Sequence, residues 1–132
     1  MARVALVLWL VLAAVVAAQQ ATGDQRFTGK TDVMDAKDLA AARRSFEAGA
    51  RTAWHSHDKG QLLLVEQGRM RLQKKGSAVR ELGVGESDYT APNVVHWHGA
   101  AAGQPLVQIN VQFGGETKWM EKVTDAEYNA KR

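Results

Sequence analysis

Four histidines stand in two short clusters, His55-Ser56-His57 and His96-Trp97-His98, and Gln61 follows the first cluster by four residues. On a β-strand, side chains alternate faces, so two histidines separated by one residue point to the same side. Imidazole nitrogens on one face are a ready pair of ligands for a divalent metal. A third imidazole and an amide oxygen complete a four-ligand set. The expected centre is His55, His57, Gln61 and His96 around one divalent transition metal. A lone histidine is more often a surface or hydrogen-bonded core residue. All four of the chain's histidines falling in these two clusters argues for metal.

Such a donor set is neutral, so a bound ion keeps its full charge locally and acts as a Lewis acid. Affinity order alone does not choose among manganese, iron, nickel, copper and zinc. Mixed nitrogen and oxygen ligation without sulfur favours manganese or iron. His98 shares the inward face with His96. It is either a fifth ligand or, as the expected role, an acid or base beside the metal, since histidine titrates near neutrality. Trp97 and Trp54 fall on the opposite faces and suit core packing.

The elements that position these residues read as short strands with turn signals every eight to twelve residues, which argues for an antiparallel sandwich or barrel. Strands are expected at 31–34, 44–47, 52–57, 61–66, 69–74, 78–82, 87–90, 95–99 and 106–113. Residues 35–42 are alanine-rich and read as a short helical turn. Gln67-Gly68 reads as a tight hairpin turn. In the last long strand Val107, Ile109, Val111 and Phe113 alternate with Gln108, Asn110 and Gln112. The amide face suits either solvent or the wall of a wet cavity, and the absence of charge on it favours the cavity as a substrate pocket. At the C-terminus Thr124 and Glu127 form the pattern of a capping box on a short helix.

At 132 residues the chain has the size of one domain. Residues 1–18 read as a removable signal: Arg3, then an apolar run from Val4 to Val16, then small residues before Gln19. The run is shorter than the roughly 20 residues of a spanning helix. The expectation is therefore a periplasmic or secreted protein with no stable membrane anchor after cleavage, a flexible leader at 19–30 and one domain at 31–132. No cysteine is present, which removes thiolate chemistry and disulfides. The formal charge of +3 is scattered among acids, without the basic stripe and interleaved aromatics that bind nucleic acid.

These stretches resemble the cupin family. Its first motif, Gly-x5-His-x-His-x3-4-Glu-x6-Gly, is matched by Gly49, His55, His57, Gln61 in the Glu position, and Gly68. Its second motif is matched by Gly85 and His96, with Ala91 and Asn93 in place of its Pro and Gly and Ala100 in place of its closing Asn. Asn93 tolerates the left-handed conformation that glycine supplies. The resemblance implies an all-β double-stranded β-helix, a jelly-roll barrel, with a short C-terminal helix. Residues 50–57, 60–61, 96–100 and 119–125 look like a small-cupin subgroup that includes manganese-dependent bacterial hydroxynitrile lyases and cupins associated with carboxymuconolactone decarboxylases. The likeness implies metal ligands at His55, His57, Gln61 and His96, a further active-site histidine at His98, and a homodimer. Those lyases carry another histidine where this chain has Gln108, which cannot act as a base. The implied function is a metal-dependent lyase or aldol-type enzyme on a small oxygenated molecule. A cupin dioxygenase and a non-catalytic small-ligand binding or sensing cupin are the alternatives.

Overall fold

The structure, a computed structural model, describes residues 26–29 and 31–131. The signal expected at 1–18 and, of the leader expected at 19–30, residues 19–25 and 30 lie outside the described residues. Residues 36–132 form one compact unit. Among its described residues nine strands occur: β1 (Ala40–Phe46), β2 (His55–His57), β3 (Gln61–Gly68), β4 (Met70–Lys74), β5 (Arg80–Leu82), β6 (Ser87–Thr90), β7 (His96–Ala100), β8 (Leu106–Gln112) and β9 (Thr117–Trp119). One short helix follows, α1 (Asp125–Tyr128). The strands make two antiparallel sheets, ordered β1-β8-β3-β6 and β5-β4-β7-β2-β9. This is the all-β double-stranded β-helix expected from the motifs.

Period-two alternation divides the interior along each strand. On β3 the inward residues run from Gln61 to Leu63 and Val65; on β7 they run from His96 and His98 to Ala100. On β8 Leu106 is followed by Gln108, Asn110 and Gln112. The apolar ends meet Met70, Leu72 and Leu82 in one buried cluster, with Phe46 packed against it. The polar ends form the site. Trp54, Val79, Trp97, Val123 and Tyr128 make a second cluster. This cluster sits between the site-bearing sheet and α1. The expectation that Trp54 and Trp97 pack away from the histidines therefore holds.

Helix α1 is too short to be stable alone and is held by side chains. Thr124 and Glu127 make the expected capping box. Arg71 donates from Nε to the Tyr128 carbonyl and from Nη2 to the Ala130 carbonyl, both at 2.7 Å. Tyr128 Oη donates to the Ala100 carbonyl at 2.7 Å, tying the helix to the end of the histidine strand.

Three local expectations are corrected. Ala40–Ala42 is not helical: it opens β1, whose backbone pairs with β8 from Ala40↔Gln112 to Phe46↔Leu106. Tertiary pairing overrides the helix preference of alanine. Residues 31–34 take no regular structure and enter no ladder among the described residues. Gln67-Gly68 is not a hairpin turn, because β3 and β4 lie in different sheets and Gly68 is the last residue of β3. Strand β9, in turn, was not expected.

Gly68 sits where the chain leaves one sheet for the other, at φ +78°, and a Cβ there would run into the carbonyl oxygen of Pro105. Gly76 has a similar φ of +82° but open space around it. Gly68→Ala should lower the unfolding free energy by about 3 kcal/mol or more, while Gly76→Ala costs about 1 kcal/mol for its backbone alone. Urea titrations of the two variants check this difference.

Candidate metal centre

Strand β2 is short, but it lies between β7 and β9, and His55 stands directly opposite His96 in the β2–β7 ladder. The two imidazole centroids are 4.2 Å apart. His57 lies 5.0 Å from the His55 ring and 5.6 Å from that of His96. His98 lies 5.4 Å and 6.0 Å from the same two rings. All four histidines are buried. Gln61, at the start of β3 in the facing sheet, places Oε1 3.0 Å from His96 Nε2.

A buried imidazole has two nitrogens to satisfy. His55 Nδ1 donates to the Ala53 carbonyl and His96 Nδ1 to the Val94 carbonyl, each at 3.0 Å. His98 Nδ1 donates to Gln108 Oε1 at 3.1 Å. The oxygen beside each Nδ1 sets the tautomer with the proton there, and the His96 Nε2 lone pair then faces Gln61 Oε1 at 3.0 Å, two donor atoms of the kind that share a cation. Such an outer hydrogen bond is how metal-binding histidines are oriented. His57 differs. Its Nδ1 lies 3.0 Å from Thr117 Oγ1 and 3.2 Å from Gln112 Nε2, and its buried Nε2 has no partner.

Burial pushes the His55 pKa down to about 4, helped by repulsion from His96. Burial likewise lowers His96 to about 4. Burial, with repulsion from His55 and His96, holds His98 well below the ordinary value. His57 is lowered by the same desolvation. The rings are therefore neutral at neutral pH, the state in which imidazole ligates metal. Ligand atoms of His55, His96 and His98 all lie within 4.8 Å of one another, a cluster compatible with a metal site. His55 and His96 belong both to this cluster and to the ligand set expected from the motifs. His98 completes the cluster in place of the expected His57.

His55, His57 and His98 open onto a cavity of about 310 Å³ that Gln61 also lines. Asn110 and Gln112 line it, so the amide face of β8 borders a cavity rather than bulk solvent. Gln108 sits beneath them, fully buried, against His98. Sequence reasoning missed Arg44, Phe46, Arg51, Thr52 and Trp119, which also line the cavity. Alternation along Ala40, Ala42, Arg44 and Phe46 was a usable signal for the first two once β1 was known to be a strand. Trp119 lies on the unexpected β9, its exposed ring 4.7 Å from that of His55.

Known proteins share both fold and sequence with this chain. A curated relative, the (R)-mandelonitrile lyase of Granulicella tundricola, is 39% identical over 110 residues, covering 81% of this chain and 84% of that protein. The crystal structure of a cupin-like protein from Thermotoga maritima matches with a TM-score of 0.66 at 41% identity, over 69% of this chain and 71% of the other. A protein with a double-stranded β-helix domain from Klebsiella pneumoniae matches at a TM-score of 0.58 and 22% identity, over 68% and 81% of the two chains, a likeness of fold alone. The family model described as the cupin domain matches residues 42–112, more than half of the chain. The barrel, its paired histidine clusters and this match make the protein a member of the cupin family.

Proposed function

We propose that the protein is a metal-dependent cupin lyase that cleaves a carbon–carbon bond next to an oxygen in a small molecule, as a hydroxynitrile lyase does. The convergence of buried, neutral imidazoles on one cavity, each braced through Nδ1, carries this reading. The 39% identical relative named (R)-mandelonitrile lyase supports the reaction class. His55, His57, Gln61 and His96 would hold a divalent ion, manganese or iron before nickel, zinc or copper. Once bound, such an ion polarises an oxygen of the substrate.

The chain's own groups do the rest. His98 Nε2 accepts the proton of the substrate hydroxyl while Gln108 Oε1 holds Nδ1–H and fixes the ring's orientation. The oxygen's electron pair becomes the carbonyl, and the adjacent carbon–carbon bond breaks with its electrons leaving on cyanide. His98 then returns the proton to cyanide. Trp119 and Phe46 flank the cavity and give it apolar surface.

A second reading follows from the ligand atoms of His55, His96 and His98, which lie within 4.8 Å of one another. There His98 is a ligand, and His57, braced by a hydroxyl instead of a carbonyl, is the base. Metal analysis separates the two. His55→Ala and His96→Ala should lose bound metal in both readings. His57→Ala should lose it, and His98→Ala keep it, only in the first.

In the first reading, mandelonitrile cleavage by metal-loaded His98→Ala should fall by roughly 10²–10⁴-fold, the usual share of a general base. Cyanide release is the measurement. Oxygen uptake by the iron form would point instead to a dioxygenase, and ligand binding without turnover to a binding cupin.

A further inference from the structure

The cavity carries an unspent positive charge. Arg44 and Arg51 both line it, and no acid does. Arg51 is engaged: its guanidinium donates to the Val123 carbonyl at 3.0 Å, meets Asp125 at 2.6 Å and lies over the Tyr128 ring at 4.6 Å. Arg43, one residue before Arg44 on the other face of β1, is paired with Glu66 at 2.6 Å. Arg44 makes no ion pair among the described residues. It stands directly across the ladder from Gln108, so both side chains lie on one face of the sheet, Arg44 lining the cavity and Gln108 buried behind it.

A second, independent observation lies beside it. Gln108 is fully buried, and its Nε2 has no hydrogen-bond partner because Oε1 is taken by His98. One inward position further along β8, Asn110 Oδ1 is a buried acceptor with no partner. Buried polar groups left unpaired cost on the order of 1–3 kcal/mol each. A ligand that accepts from Arg44 and Gln108 and donates to Asn110 would relieve both.

We propose that Arg44, with Gln108 behind it, forms a carboxylate subsite and that the cavity also binds a small hydroxycarboxylate. The carboxylate seats against the Arg44 guanidinium and Gln108 Nε2, and a hydroxyl of the same molecule donates to Asn110 Oδ1. An arginine fork suits a carboxylate's two oxygens. The ligand class goes beyond the proposed function, because its one hydroxyl is given to Asn110 Oδ1 and not to His98 Nε2. The subsite itself needs no metal.

The test uses calorimetric titration of the full protein with mandelate and with mandelamide, which share ring and hydroxyl and differ in charge. Both metal-loaded and chelator-treated protein are titrated. Mandelate should bind about tenfold tighter than mandelamide in either form, the ratio expected for a charge-assisted contact. Arg44→Gln should abolish that preference, Arg44→Lys should restore part of it, and Arg43→Gln should leave it unchanged. Equal binding of the two ligands by the wild type, or a preference that survives Arg44→Gln, overturns the subsite. Arg44-dependent preference in a protein that takes up no metal would sink the proposed function and leave the subsite standing.

Discussion

Every buried imidazole in this barrel has two nitrogens to satisfy, and the architecture follows from how the first of them is satisfied. His55 and His96 each spend Nδ1 on the carbonyl two residues earlier, Ala53 and Val94. Those carbonyls belong to backbone just before a strand begins, where ladder bonding does not claim them. The tautomer of each ring is thus set by where β2 and β7 start. Nε2 is then left pointing at its neighbours. Because burial disfavours the imidazolium, these lone pairs persist at neutral pH. A cluster of basic nitrogens this close is tolerable only because none of them is charged.

The same strands must be held rigidly for that geometry to matter. Their outward faces supply the support. Trp54 precedes His55, and Trp97 stands between His96 and His98; the two indoles meet edge to face at 6.5 Å. Each is anchored by its N–H, Trp54 to Glu127 at 3.2 Å and Trp97 to Gln73 at 3.1 Å. A buried indole is worth about 3–5 kcal/mol on truncation to alanine. Much of the energy that orders the histidine strands therefore sits on the far side of the sheet, under the helix clasped by Arg71 and Arg51. The apolar plug of Leu63, Val65, Met70 and Leu72 closes the other end of the barrel. A small domain can keep a polar half because its hydrophobic packing is gathered at these two places.

The sequence was informative wherever a pattern was local. The His-x-His spacings, the alternation along β8 and the capping box each state their geometry within a few residues. Asn93 does adopt the left-handed conformation, at φ 62°, that its motif position asks for. Legibility ended where a partner segment decides the outcome. Alanine at 40–42 prefers a helix until β8 offers a ladder. Gly68 looks like a hairpin glycine until Pro105 is seen crossing beside it. The amides of β8 could have faced solvent; β3 and β1 on either side and β7 opposite make their face interior. The two His-x-His pairs look alike in sequence, so spacing could not say whether His57 or His98 lies nearer the other two rings. Arg44 and Trp119 come to the cavity from opposite ends of the domain, and no short window contains both.

The neighbour of His98 limits what that ring can do as a base. In a histidine–carboxylate pair, the anion stabilises the imidazolium that forms when the base takes a proton. Gln108 offers only the dipole of a neutral amide, and burial with two nearby imidazoles opposes the added charge as well. Protonated His98 is therefore a high-energy species in this cavity. Such a base is always free to accept a proton but returns it quickly, which suits a reaction whose leaving carbanion takes that proton back in the same turnover. A negative charge drawn to Arg44 would lie near the same ring and ease the cost of charging it. On that argument the unpaired arginine and the weak base are complementary: an anion held at Arg44 would supply the counter-charge that Gln108 lacks.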